Sequence, residues 1–445
     1  MNQFLLRAKW IVPITSPPVV DGALEVEQGR ITKVYSANEP LPRSPTHDLG
    51  DVIIIPGLVN SHTHLDFTLA SGFLGNVRMD GFYRFLHSVK ENLNHEELVN
   101  SAKAGLVEGL RSGTTTFGDV TDSGASFSAV KEMGARAVIY REFSGFEGDV
   151  PFDVFSMGNH NHEDQNEGRI VEGVAAHSPY SVGERQLSQL AELAVSKRLP
   201  ISIHAAEQKA EVELFSRGKG PIAWSLNKRN IEWKNVGTTP FGYLQRIGFL
   251  RAKPALVHSV HVVPSDIDII AKSESKVVSC PRSNSWLGNG IAPVNEFIER
   301  NLVIGLGTDS SVSGTSLNLL EEMRYALLIQ RAVGGRRTRL DSRRCLEMAT
   351  MGGARSLGLD DRVGSIEGGK NADLAFIRLR KGFKALDPVE YLGYVANESD
   401  VLTTMVGGNV IYSSVDGFER KALSWPDEAD RVREHIRQVY SASDF

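Results

Sequence analysis

The chain has 445 residues, 41% of them hydrophobic, enough for a full core in one large domain or two to three ordinary ones. A formal net charge of -5 and no dense Lys/Arg cluster exclude a general attraction to nucleic acid or to an anionic membrane, leaving small-molecule chemistry as the default. Cys280 and Cys345 are too few for a disulfide framework and lack zinc-ribbon spacing, so they read as reduced, buried small hydrophobes.

No signal-peptide-like apolar core opens the chain and no run approaches membrane-spanning length, so a soluble cytoplasmic protein is expected. Residues 24–27 and 30–34 alternate in polarity around Gln28-Gly29, the pattern of a tight hairpin. Near the far end, residues 372–377, 405–406 and 410–412 again read as strands, the last two joined by Gly407-Gly408-Asn409. Both chain ends are therefore expected to share one sheet, a small flanking β-sandwich of residues 1–55 and 363–420.

Between them, apolar strands alternate with amphipathic helical stretches, the rhythm of parallel β/α units. The run Val52-Ile53-Ile54-Ile55 and the break Pro56-Gly57 lead to a first strand ending at His62-Thr63-His64. Further strands fall at residues 114–117, 137–140, 174–176, 201–203, 255–257, 277–279 and 303–306. Eight strands predict an α/β fold, a TIM-like (β/α)8 barrel over residues 56–362.

Residues 97–111 carry Leu98, Ala102, Leu106 and Leu110 at helical spacing, and residues 185–197 carry Leu187, Leu190 and Leu193, as outer-ring helices do. Residues 145–168 are polar and read as a long loop, a lid or a crossover. Pro426-Asp427-Glu428 opens a helix within residues 421–445, with Val432, Ile436 and Val439 on one face.

In such barrels the chemistry sits at the C-terminal mouths of the strands. His62 and His64, two residues apart on a strand, share one face. His177 follows the fourth strand, His204 ends the fifth with Glu207 three residues on, His258 ends the sixth and Asp309 the eighth. Singly, each has an ordinary structural reading; jointly, His62, His64, His204 and Asp309 make a nitrogen-rich site suited to Zn²⁺ or Fe²⁺ with room for water. His160-Asn161-His162 repeats the spacing without a strand before it, so it reads as solvated. Trp286, Phe67, Phe73 and Phe82 read as core or pocket wall.

The segments Pro56-Gly57-Leu58-Val59-Asn60-Ser61-His62-Thr63-His64, His204-Ala205-Ala206-Glu207, Val257-His258-Ser259-Val260-His261, Cys280-Pro281-Arg282-Ser283-Asn284 and Gly307-Thr308-Asp309-Ser310 together resemble the amidohydrolase superfamily, in its cytosine-deaminase-like and chlorohydrolase-like branch. The likeness covers almost the whole chain and includes residues 364–374, similar to the family's return from barrel to flanking sheet. Binuclear members bridge two metals through a lysine at the end of the third or fourth strand. Here those ends read Arg141-Glu142 and His177-Ser178, so one divalent ion per chain, zinc or iron, is implied on His62, His64, His204 and Asp309.

A bound metal brings the pKa of water from about 15.7 towards about 7. Glu207 can then carry the water proton to a substrate ring nitrogen, His258 can orient the attacking oxygen, and Asp309 can pass a second proton to the departing amine. The resemblance implies a deaminase of an adenine-type nucleoside, with Arg141 and His177 as binding candidates. Residues 207–215 and Gly218-Lys219-Gly220-Pro221 look most like aminodeoxyfutalosine deaminases of menaquinone synthesis. Their substrate carries a benzoate, so Arg282 or Arg141 is the candidate carboxylate partner.

Deamination of S-adenosylhomocysteine or methylthioadenosine is the nearest alternative. Guanine deamination and triazine dechlorination rank lower, a non-catalytic scaffold is remote, since every expected ligand position is filled, and a dihydroorotase-like amide hydrolase is the other alternative, which two metals per chain would favour. A homodimer is common in this branch.

Overall fold

A computed structural model describes residues 3–75, 77, 79–150, 168–383, 387–415, 417–418 and 425–442. In it Val19–Glu27 and Arg30–Tyr35 pair antiparallel across Gln28 and Gly29, whose φ values of 51° and 75° are the left-handed pair that a two-residue hairpin turn requires. Gly407 (57°) and Gly408 (76°) close Val401–Val406 onto Asn409–Ser413 in the same way.

The ends meet where Leu374–Arg378 runs antiparallel to Val52–Pro56, itself parallel to Gln3–Ile11, completing one nine-stranded mixed sheet. The sharing of one sheet by the two chain ends is therefore observed. Every residue of Val52–Pro56 is buried, as suits a central strand covered on both faces.

At Gly57 the chain passes from this sheet into the barrel, and a Cβ there would lie 2.1 Å from Thr115 Oγ1, so the hand-over admits no side chain. The barrel strands are β1 (Leu58–Thr63), β2 (Thr114–Thr121), β3 (Arg136–Phe143), β4 (Ile170–Ala176), β5 (Ile201–Ala205), β6 (Ala255–His258), β7 (Lys276–Ser279) and β8 (Ile304–Leu306). They pair in parallel in chain order, and each expected strand is present.

Closure of β8 on β1 is made by individual groups. Asn60 Oδ1 accepts from Thr308 N at 3.0 Å, Asn60 Nδ2 donates to Thr308 Oγ1 at 2.8 Å, and Asp309 N donates to the His62 carbonyl at 3.0 Å.

The helix expected from residue 97 begins at His95, because Asn94 and Glu97 form a reciprocal capping box that satisfies two otherwise orphan N–H groups. The helix Trp425–Ser441 buries Val432 and Ile436 against Leu69, Ala70 and Phe85, and Arg433 donates to the carbonyls of Leu69 and Ser71. It thus braces the segment just after the His62-Thr63-His64 motif. Most of the loop expected at 145–168, with His160 and His162, lies outside the described residues. Among the described residues no helix is long and apolar enough to cross a membrane.

Barrel and sheet are joined by a buried ion pair. Arg136 of β3 donates through Nε and Nη2 to the Asp373 carboxylate at 2.7 and 3.1 Å, and Gly407 N donates to the same group at 2.8 Å. Arg136→Ala strands a buried carboxylate and is expected to lower stability by about 3–5 kcal/mol in denaturant melts. Arg136→Met with Asp373→Leu should recover much of that loss.

Candidate metal centre

Alternation on β1 turns Thr63 away from the histidines, and its hydroxyl donates to Asp119 Oδ1 of β2 at 2.9 Å. Leu65 N donates to the same oxygen at 2.8 Å, which fixes the chain on leaving the motif. His64 Nδ1 lies 3.2 Å from the Val120 carbonyl and His204 Nδ1 2.6 Å from the His177 carbonyl. A carbonyl can only accept, so these Nδ1 atoms carry the protons and each Nε2 presents a lone pair.

The Nε2 atoms converge with Asp309 Oδ1. His62 to His204 is 3.2 Å, His64 to His204 3.4 Å, His62 to Asp309 3.4 Å and His64 to Asp309 3.6 Å. Four donors about 2.0–2.2 Å from one tetrahedral ion stand about 3.3–3.6 Å apart, so the cage has the size and chemistry of a zinc site.

Burial drives His64 down to about 3, with His62 adding to the effect and Asp309 opposing it, and burial with the other imidazoles holds His204 well below its ordinary value. Burial alone would raise Asp309, but its bond to His62 and the neighbouring ring charges outweigh this and keep it well below the carboxylate range. Neutral imidazoles and an ionised carboxylate are the protonation states a divalent ion binds.

The segment Cys280-Pro281-Arg282-Ser283-Asn284 enters the helix Pro281–Trp286 at the mouth of β7 and supports the cage. Ser283 Oγ donates to Asp309 Oδ2 at 2.5 Å, and Asn284 Oδ1 lies 2.9 Å from His258 Nδ1. The His258 ring stands 5.9 Å from that of His62 and 5.5 Å from that of His204, centroid to centroid.

Arg282 does not meet the expectation that it pairs with substrate. Its Nε donates to Glu322, its Nη1 to Thr315, Ser316 and Glu321, and its Nη2 to the carbonyls of Ser316 and Asn318. Every guanidinium group is engaged within the protein.

Glu207 follows β5 and is 7% exposed. Asn289 Nδ2 donates to its Oε1 at 2.8 Å, and burial raises its carboxyl, the His258 charge opposing. Ala206 beside it sits at φ 50°, and Glu211, which sequence reasoning missed, clamps this turn by accepting from Ala206 N at 2.9 Å and Glu207 N at 3.2 Å. His258 (φ 71°) and Asp309 (φ 61°) are also left-handed, a strained backbone sustained by the packing around it.

His177 lies beside the cage, its ring 5.4 Å from His204 and its Nδ1 2.7 Å from Ser181 Oγ. Arg141 is placed otherwise than expected. On β3, Val138 and Tyr140 pack with Val120 and Ala175 on the inner side, whereas Ala137 and Ile139 pack outward with the helix Ala125–Met133. Alternation therefore sends Arg141 to the helix side and Glu142 to the interior, where Glu142, His177 and His204 offer ligand atoms within 4.8 Å of one another. Tyr83, on the helix Met79–Asn92, stands 6.2 Å from His177 and hydrogen-bonds Tyr180, while Phe82 packs on Trp286 at 5.9 Å. This helix walls the mouth.

The family model described as the amidohydrolase family matches residues 53–411, and the chain belongs to that family. It is similar to a 5-methylthioadenosine/S-adenosylhomocysteine deaminase of Moorella thermoacetica, 31% identical over 422 residues, covering 92% of this chain and 94% of the relative. Among solved structures it is similar to an adenosine deaminase of Xanthomonas campestris with bound zinc, TM-score 0.84, 25% identity and 98% of both chains. The aminofutalosine deaminase of Helicobacter pylori shares the fold, TM-score 0.77 over 92% of this chain and 100% of that one, at 19% identity.

Burial pushes Glu211 up to about 8, its two backbone donors lowering it and Glu207 raising it. A folded value above the ordinary value of 4.5 means that its contribution to stability is full below about 4.5 and is lost as pH rises through about 8. Between about pH 4.5 and about pH 8 the chain should lose up to about 1.4 kcal/mol per pH unit through this group. Glu211→Gln should flatten that slope in denaturant melts at stepped pH.

Proposed function

We propose that this chain is a zinc-dependent deaminase that hydrolyses the exocyclic amine of an adenine-type nucleoside. The observation that carries the reading is the cage of three imidazole Nε2 atoms and one carboxylate, faced by a buried, raised Glu207 and by His258. The relatives' names support amine hydrolysis, and zinc is bound in the Xanthomonas campestris structure.

The donor count supports one ion per chain. His204 is committed at both ring nitrogens, so Glu142 and His177 lack a third partner for a second ion. When bound, zinc lowers the pKa of water from about 15.7 towards about 7.

The chain's own groups then move protons. Asn289 fixes one Glu207 oxygen and leaves the other to carry a proton from water to a ring nitrogen, which makes the adjacent carbon electrophilic. His258, anchored by Asn284, orients the attacking oxygen and stabilises negative charge on it. Asp309, steadied by Ser283 and Ser310 N, takes the second proton of the added water from the hydroxyl now on the ring carbon and passes it to the departing amine. Ammonia leaves and a carbonyl remains.

A 5′-thio-substituted adenosine of the methylthioadenosine/S-adenosylhomocysteine type is the substrate we favour over 6-aminodeoxyfutalosine. Arg282 is engaged and so is not the benzoate partner expected of it, the 31% identical relative is named a 5-methylthioadenosine/S-adenosylhomocysteine deaminase, and the 19% identical neighbour speaks for fold alone.

Ammonia release by the zinc-loaded protein from methylthioadenosine, S-adenosylhomocysteine, adenosine and 6-aminodeoxyfutalosine should be fastest for the thio-substituted pair. Fastest release from 6-aminodeoxyfutalosine would replace the substrate but keep the reaction; release from none would sink the function. Glu207→Gln should lower kcat by about 10²–10⁴-fold with zinc retained. His204→Ala should lose the zinc itself, as measured by metal analysis.

A further inference from the structure

Glu142 ends β3 on the inner side, beside His177 and His204, and its Oε1 is buried with no hydrogen-bond partner among the described residues. An acceptor left this way is unfavourable by more than a typical hydrogen bond returns, and such groups persist where a ligand completes them. Lys90, the nearest charge that favours the ionised form, is paired with Asp122 and is not the missing donor. Burial holds the Glu142 carboxyl up at about 7, Lys90 lowering it and Asp309 raising it, as suits a carboxylate short of donors.

His204 has no spare nitrogen, and no bond from His177 reaches Glu142 Oε1 among the described residues, so the partner left to it is an N–H or O–H of substrate. Its place next to a cage ligand puts it against the reacting end of a bound ring, not a distant substituent. At that end the exocyclic amine of an aminopurine offers donors, whereas the carbonyl that replaces it offers only lone pairs, the product's remaining donor there being the ring N–H beside it.

We infer that Glu142 is a specificity-determining residue that accepts a hydrogen bond from the substrate's exocyclic N–H and disfavours the carbonyl that replaces it. This rests on the deaminase reading. Hydrolysis turns a donor into an acceptor at this contact, so the same carboxylate that holds the amine repels the product.

The test uses zinc-loaded Glu207→Gln protein, which keeps ligands intact, with methylthioadenosine and methylthioinosine titrated by calorimetry above about pH 8, where Glu142 is ionised. The amino ligand should bind about 10–100-fold tighter than the oxo ligand, the worth of one hydrogen bond to a charged acceptor. Adding Glu142→Leu should bring the two within about threefold, and Glu142→Gln, whose amide can donate to a carbonyl, should shift preference towards the oxo ligand.

An unchanged preference in both variants, or equal weakening of both ligands, would overturn the inference and leave the deaminase reading standing. So would a second zinc per chain that disappears with Glu142. Binding of neither nucleoside by the reference protein would overturn both.

Discussion

Three imidazole Nε2 atoms and a carboxylate oxygen gather at the barrel mouth with neighbouring contacts of 3.2–3.6 Å. Much of the architecture exists to hold that gathering. Asp309 reaches it because its N–H closes the barrel onto the His62 carbonyl, and His204 reaches it because its other nitrogen is tied to the His177 carbonyl. The gathered donors are the complement of a divalent cation, so the groups that hold them in place also set its affinity.

A second ring of groups converts the cage into a reactive site. Ser283 and Asn284, consecutive on one short helix, steady Asp309 and His258, while Asn289 a turn later steadies Glu207. One segment after β7 thus sets three proton-handling groups at once. Their mutual placement depends on a single rigid element, which keeps the groups in register during turnover.

Much of this was legible in the sequence for a physical reason. Strand alternation and the address of catalytic residues at barrel mouths are local rules, so His62, His64, His204, Glu207, His258 and Asp309 could be read as one constellation, and the structure brings them together. Arg141 shows where such rules stop. The choice between Arg141 and Glu142 is a one-residue phase of β3, decided by which of Ile139 and Tyr140 packs on the outer helix. Arg282 was illegible for another reason: its partners lie 33 to 40 residues onward, and no local pattern announces a saturated guanidinium. Glu211 carries a signal in hindsight, a carboxylate four residues past Glu207 at the start of a helix, where it can reach back to the turn.

The pairing of Leu374–Arg378 with Val52–Pro56 has a consequence for how the chain is made. About 320 residues separate the partners, so at ribosomal speeds the apolar edge of Val52–Pro56 waits roughly 15–60 s for its neighbour. During that interval a strand of Val and Ile presents unpaired backbone groups, the kind of edge that recruits other chains. The helix Trp425–Ser441, which braces the segment after the metal motif, emerges later still. Nascent protein should therefore be most prone to self-association just before Leu374–Arg378 emerges, and its metal site should mature only once Trp425–Ser441 has followed.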